Sequence, residues 1–572
     1  MTAETTGAGA GAAELARLSD LFFQVKHSAD PFSATLLGVS GFDGLVPDVS
    51  REGARTTAAE LAGIERALTA VDPGGLDPAG RVNHAVLGRL AWAMRADLET
   101  GLWEATASAD GYSSPTGLMF MSVPAMSITG AADADRYLDR LAALPGFLDA
   151  VLNRYREAAA DGRLPTRVGV GQAIDQLTGH LALDLADDTL LSTKLPAGVD
   201  ADRIRNRAAG IVADQVRPAL RRLLAGLGDD LLPPARDDDH VGIRFVPGGE
   251  EGYRAAVRRH TTTDLTPEQI HQIGLDCLED LRAEWAEVGG RALGISDVTE
   301  IRTRLREDPS LRFSESRQIV AMVTDALRRA EEARDAWFPA YRIADCEIEE
   351  INPIEAGNAA LAHYRPPAAD GSRPGAHCLL TVDPHERFVY EYEALAFHES
   401  TPGHHLQIGS AQTLGELPAY RRYLDAEVCG YVEGWGLYSE RLADEMGLYT
   451  SDTARLGMLS FDALRACRLV VDTGMHHFGW SRRRAMDFMW ENTATTRANV
   501  RNEIDRYIAW PGQACAYMIG RREIRRLRTL AQDRLGSRFD IRDFHGTVLG
   551  NAAVPLDVLE QIVTAWLDDA GA

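Results

Sequence analysis

The stretch His398-Glu399-Ser400-Thr401-Pro402-Gly403-His404-His405 constrains the fold more than any other, because it stops a helix in the middle of a cluster of titratable side chains. The segment from Glu391 through Ala396 is a good helix former, so His398 and Glu399 are expected on a helix that runs into Pro402. Proline lacks an amide hydrogen, clashes with the preceding turn and pushes Thr401 out of α geometry, while Gly403 can take dihedrals closed to other residues. The sequence therefore predicts a helix broken or bulged at 400–403.

The histidines flanking the break give it chemical weight. At about 100° and 1.5 Å per residue, side chains at i and i+4 are offset by about 40° and about 6 Å, so two imidazoles can converge on one metal ion. In the His-Glu-x-x-His zinc motif the glutamate after the first histidine serves as general base, and Glu399 holds that place here. The second histidine, however, comes late. On a straight helix His404 faces about 240° away from His398, and His405 recovers the face only about 10.5 Å along the axis. That is too far for two nitrogens that must each reach zinc at about 2.0–2.1 Å. Residues bulged out before Gly403 would bring one histidine back, and spacing alone leaves both His404 and His405 open.

A catalytic zinc takes three protein ligands and keeps one open position. Glu433, in Gly430-Tyr431-Val432-Glu433-Gly434-Trp435-Gly436-Leu437-Tyr438-Ser439-Glu440, is the expected third, far enough along the chain for a second helix to return beside the first. It stands among aromatics and glycines, where an exposed charge would be unusual. Glu440, seven residues on, shares its face and is expected to support a ligand or to replace one.

The 572-residue chain is 45% hydrophobic, enough for a substantial core, and carries a net charge of −24 with a pI near 5.1. That balance argues against nucleic-acid or anionic-membrane partners, which need clustered positive charge. Lys26 and Lys194 are the only lysines. The six cysteines are scattered without a CxxC pair, and the Thr-, Gly- and Ala-rich start lacks a basic region followed by a long apolar run, so buried thiols and a cytoplasmic location are expected.

Apolar residues recur at three- and four-residue spacing, as in Tyr137-Leu138-Leu141-Leu144, which gives a mainly α fold class. The Pro-, Gly- and Asp-rich stretch from Gly228 to Gly249 reads as a connector between an N-terminal helical region, 1–240, and a catalytic region, 241–572, expected to pack as one body around a cleft. Thr266-Pro267-Glu268-Gln269 has the makings of a capping box, and Ser314 a second helix start. Asp370 through Gly375 is turn chemistry, and His377 through Val382 is a strand just before the metal helix, expected as an edge on which an extended substrate could pair.

The runs His398-Glu399-x-x-Pro402-Gly403-His404-His405-Leu406-Gln407, Glu433-Gly434-Trp435-x-Leu437-Tyr438-x-Glu440, Asp472-Thr473-Gly474-x-His476 and Pro511-Gly512-Gln513-Ala514-x-x-Tyr517-x-x-Gly520 resemble the bacterial family known as domain of unknown function 885. The resemblance implies a mainly helical, zincin-like body related in architecture to helical zinc carboxypeptidases and oligopeptidases, with a hydrolytic role. In those peptidases Gly-His-x-Leu follows the first His-Glu, which favours His404 as second ligand. The Tyr-x-x-Gly segment points likewise to Tyr517 as the phenol that stabilises a tetrahedral intermediate, with Tyr507 second.

Further groups could complete the chemistry. Arg468, Asp472 and His476 recur at four-residue intervals on one helix face, so Asp472 could orient or charge His476 for the oxyanion. Arg506, Arg365 or Arg373 could clamp a substrate carboxylate, and Arg468, Arg506 and Tyr507 are candidate substrate contacts. The expectation is a hydrolase of amide bonds in short peptides or peptide-like metabolites, with one zinc ion held by His398, His404 and Glu433. Glu399 would be its base, and His476 and Tyr517 its oxyanion donors. A metal-dependent enzyme acting on a non-peptide metabolite, and a non-catalytic peptide-binding protein on a peptidase scaffold, are the alternatives.

Overall fold

Amphipathic spacing folds into helices along almost the whole chain, in a computed structural model that describes residues 4–351, 360–368, 371, 373–424 and 426–571. Near the N-terminus α1 (Glu4–Ala29), α2 (Arg51–Leu68) and α3 (Pro78–Thr100) pack together. Then come α4 (Ala131–Ala160) and α5 (Arg167–Ala182), whose core is shared with residues up to Leu231.

The cores do not divide at residue 240. Residues 107–231 build one of them, with Phe32, while Leu18, Phe22, Leu61 and Leu90 from α1–α3 join the large core built from residue 241 onward. Phe22 meets the ring of Tyr420 edge-on at 5.7 Å, and the Tyr420 hydroxyl donates to the Asn83 carbonyl at 2.9 Å. The apolar faces of the first helices thus find their partners several hundred residues later, which periodicity along the chain does not reveal.

Beyond the connector lie α6 (Gly249–Thr261) and α7 (Pro267–Leu293). Thr266 caps α7 as its sequence predicts: its hydroxyl accepts the Gln269 amide at 3.3 Å and the Gln269 side chain accepts the Thr266 amide at 2.9 Å. Farther on, α8 (Ser316–Ala333) starts two residues after Ser314, because Glu315 and Gln318 form the reciprocal cap and Ser314 gives its amide to the same Gln318 oxygen.

Three strands follow, β1 (Cys346–Glu350), β2 (Ala362–Arg365) and β3 (Gly375–Leu379), in the order β1-β3-β2. β3 runs parallel to β1 and antiparallel to β2. The strand before the helix that carries His398 is therefore central rather than an edge, and both of its backbone edges are already paired. Of the expected turn, Asp370 and Ser372 lie outside the described residues.

The site is framed by α9 (Tyr392–Glu399), α10 (His404–Thr413), α11 (Cys429–Glu445), α12 (Asp452–His476), α13 (Arg497–Ala509) and α14 (Ala516–Leu535). Every residue of α9 is buried, as in a helix with partners all round. α7 lies along α12, and α11 along α14. In the second pair the backbones touch: a methyl added to Gly520 would fall 1.7 Å from the Gly430 carbonyl oxygen, and one on Gly434 would fall 2.6 Å from the Gly520 Cα. That close crossing sets Glu433 and Tyr517 on adjoining helices. No disulfide joins any of the six cysteines, and five are buried. Among the described residues no helix is long and apolar enough to cross a membrane.

Candidate metal centre

α9 ends at Glu399 and α10 begins at His404, so the helix is broken at residues 400–403. The Thr401–Pro402 peptide is cis. Gly403 is required by space, since a methyl there would lie 1.9 Å from the His398 carbonyl oxygen. The backbone and side chains freed by the break find partners. His377 Nδ1 lies 3.0 Å from the Ser400 hydroxyl, and the Thr401 hydroxyl donates to Glu331 at 2.6 Å. The Pro402 carbonyl accepts from Trp435 Nε1 at 2.9 Å and from the Ser439 hydroxyl at 3.2 Å. Trp435 and Ser439 both belong to α11, so the helix that carries Glu433 also holds the break in shape.

The break returns His404 to His398, with the rings edge to face and their centres 4.7 Å apart. Glu433 Oε2 lies 3.5 Å from His398 Nε2 and 3.4 Å from His404 Nε2. The three side chains each offer a ligand atom, all within 4.8 Å of one another, and no other such group is found among the described residues. His405 points elsewhere: its Nδ1 lies 3.0 Å from the Tyr364 hydroxyl on β2, and burial pushes its pKa down. Of the two histidines left open by spacing, His404 is the one that joins the cluster.

Glu440 Oε1 is 2.8 Å from His398 Nδ1 and 3.4 Å from Arg465 Nη2. Burial opposes a charge on His398, but Glu433, Glu440 and Glu399 outweigh it and hold the imidazole up at about 9. For Glu433 burial works against ionisation too, and His398 and His404 still keep its carboxyl well below the usual range. Glu399 is buried beside this cluster, and burial, resisted by the two imidazoles, raises its pKa.

Gly436, absent from the sequence expectations, is the residue that makes room. A methyl there would come within 2.7 Å of His398 Cε1, 2.8 Å of His398 Nε2 and 3.0 Å of His404 Cε1. The signal was the glycine pair flanking Trp435, which is costly in a helix interior unless something must approach closely.

Tyr517 lies against the cluster, its ring stacked on His398 at 6.5 Å and 17°. Burial, together with the charge of Glu433, raises its phenol, so the hydroxyl keeps its proton. Arg506 Nη2 donates to that hydroxyl at 3.2 Å, and the Arg468 guanidinium sits over the ring at 4.2 Å.

His476 and Asp472 do not form the expected pair. His476 Nδ1 accepts the Ile243 amide at 3.0 Å, and Nε2 meets the Tyr507 carbonyl at 2.9 Å. Burial lowers its pKa to about 4, so the ring is neutral with both nitrogens engaged and has no proton to offer an oxyanion. Asp472 instead accepts from the Tyr253 hydroxyl at 2.6 Å and the Gly512 amide at 3.1 Å. It thereby fastens the turn at Gly512, where φ is +84°, that leads into α14 and Tyr517. Spacing placed these side chains on one face but could not name their partners on other helices.

Tyr507 and Arg468 meet through Glu503, which sequence reasoning missed. Arg468 Nε lies 2.6 Å from the Tyr507 hydroxyl and 3.0 Å from Glu503 Oε2, and Tyr507 donates to the same carboxylate. Glu503 precedes Tyr507 by one helical turn, a spacing that was readable. Arg365 pairs with Glu349 across the sheet, and Arg373 donates to the Leu36 carbonyl at 3.2 Å, so these two candidate clamps are engaged away from the cluster.

Fold and site together define a mainly helical protein with a largely buried His-His-Glu cluster at a helix break. The chain belongs to the family described as bacterial protein of unknown function (DUF885), whose model matches residues 31–563. Its structure is similar to that of a protein described as "the putative lipoprotein from Colwellia psychrerythraea", at 28% identity and a TM-score of 0.88, covering 98% of this chain and 99% of that one. It is also similar in fold to "a putative lipoprotein of unknown function from Shewanella oneidensis", at 18% identity and a TM-score of 0.72, over 96% and 99% of the two chains. No curated protein matches.

Proposed function

We propose that this protein is a zinc-dependent hydrolase of amide bonds with a zincin-like site, a metallopeptidase acting on short peptides or peptide-like metabolites. The observation that carries the reading is the spacing of the cluster. Ligand atoms about 2.0–2.2 Å from a tetrahedral zinc lie about 3.3–3.5 Å from one another. Glu433 Oε2 stands 3.5 and 3.4 Å from the two imidazole nitrogens. Those separations are long for hydrogen bonds and match the edges of such a site. Two imidazoles and one carboxylate are also a donor set that catalytic zinc uses.

His398, His404 and Glu433 would hold the ion, and Glu440 fixes His398 so that Nε2 faces Glu433. A bound zinc supplies Lewis acidity, polarising the substrate carbonyl and acidifying a water. Glu399 would take a proton from the attacking water and return it to the leaving amine. Its raised pKa suits a group that must do both near neutral pH. Tyr517 donates its phenol hydrogen to the developing oxyanion, while Arg506 donates to the phenol oxygen and leaves that hydrogen free.

The test is hydrolysis of a di- and tripeptide panel by wild type and by Glu399→Gln, with zinc content measured on both. The variant is expected to keep its zinc and lose at least about 10²-fold in rate. Wild-type rates in a zinc-loaded Glu399→Gln protein would overturn the assignment.

A further inference from the structure

Beside the cluster two arginines lie near one carboxylate, Glu503. Arg468, on α12, is 4% exposed and gives Nε and Nη2 to Glu503 at 3.0 and 2.6 Å. Its Nη1 is buried without a hydrogen-bond partner. Arg506, on α13, gives Nη2 to Gln513 at 3.0 Å and to the Tyr517 hydroxyl at 3.2 Å, both neutral partners. Glu503 and Asp110 both attract Arg506 without a hydrogen bond to it, the Asp110 carboxylate being bonded to the amides of Tyr112 and Ser113.

Arg506 thus has no carboxylate in direct contact and Arg468 keeps one nitrogen unbonded, and a buried charge is costly unless something pairs with it. The guanidinium fork is the geometry that receives a carboxylate through two parallel bonds. Position makes the unused donor useful. Arg468 lies over the Tyr517 ring at 4.2 Å, and that ring stacks on His398 at 6.5 Å, so the unmatched donor is one tyrosine ring away from the proposed scissile bond. An extended chain advances about 3.3–3.6 Å per residue, so the interval is a matter of a few residues at most.

We infer that Arg468 and Arg506 form a subsite for the terminal carboxylate of the substrate, so that the substrate class is peptides with a free C-terminus cut within a few residues of it. The inference rests on the hydrolase reading for its cleavage, but the subsite can be tested without it. Arg506 also stays bonded to Tyr517, so the subsite adjoins the oxyanion donor.

The first arm compares N-acylated dipeptides with their C-terminal amides as substrates, for wild type and for Arg506→Gln. The acid is expected to be favoured at least about 10²-fold in kcat/KM, with the preference shrinking to within about threefold in the variant. The second arm measures binding of N-benzoylglycine and N-benzoylglycinamide to chelator-treated protein by calorimetry, where no metal can hold the carboxylate. The acid is expected to bind at least about tenfold more tightly, and Arg506→Gln to remove the difference. Equal binding of acid and amide by wild type, or equal cleavage of both, overturns the subsite. Acid-selective binding in a protein that cleaves nothing keeps the subsite and rejects the hydrolase reading.

Discussion

The Glu440 carboxylate lies 2.8 Å from His398 Nδ1, and this one contact decides which imidazole nitrogen is turned toward Glu433. A carboxylate behind a metal-binding histidine fixes its tautomer and raises its basicity, and losing it costs about 10–100-fold in metal affinity. Glu440→Gln keeps the shape but not the charge, and the expected result is a loss of zinc affinity in that range, read by competition with a chromophoric chelator. Unchanged affinity would mean that Glu440 serves only Arg465.

Gly436→Ala tests how tightly α11 approaches the imidazoles. On helix propensity alone alanine is favoured over glycine by about 0.8–1.0 kcal/mol. At this position, however, the new methyl would stand 2.7 Å from His398 Cε1. The expected variant stays helical by circular dichroism yet binds at least about tenfold less zinc, measured as metal content after dialysis.

Zinc uptake is expected to release a proton. His398 is held up at about 9 by its carboxylate neighbours, so it is charged at pH 7 and must be neutral to bind a metal. Glu433, kept well below the usual range, is already ionised and contributes none. Calorimetry in two buffers of different ionisation enthalpy should report about one proton per zinc at pH 7, declining above about pH 9. No release at pH 7 would contradict the placement of His398.

Burial pushes Asp472 up to about 7, against the Tyr253 hydroxyl and the Gly512 amide, which favour its charge. Between the unfolded value near 3.9 and the folded value, the folded chain holds a proton that the unfolded chain has lost. This site therefore takes stability away as pH rises through that window, by an amount on the order of a few kcal/mol. Asp472→Asn can still accept both hydrogen bonds and does not titrate. Relative to wild type its melting temperature is expected to gain between pH 4.5 and pH 7.5. A difference that stays constant with pH would refute the assignment.

The parts of this site written in adjacent residues were legible. Pro402 and Gly403 announced the broken helix, and the seven-residue step from Glu433 to Glu440 put both carboxylates on the face that meets His398. What depended on other segments was not. The choice of His404 over His405 follows from four residues of backbone pinned by Trp435, Ser439, His377 and Glu331. The central place of β3 follows from strand order, which alternation within one strand does not encode. His476 carried the right chemistry on the right face, yet its two backbone partners come from Ile243 and Tyr507. Gly436 was visible only as a glycine in a helix.

The central claim is that His398, His404 and Glu433 hold one zinc ion. Anomalous diffraction at the zinc edge, from crystals of protein given stoichiometric zinc, tests it most directly. The account predicts one peak about 2.0–2.2 Å from His398 Nε2, His404 Nε2 and a Glu433 oxygen, with His405 still against Tyr364. No peak at this cluster, or a peak bound through His405, would contradict it.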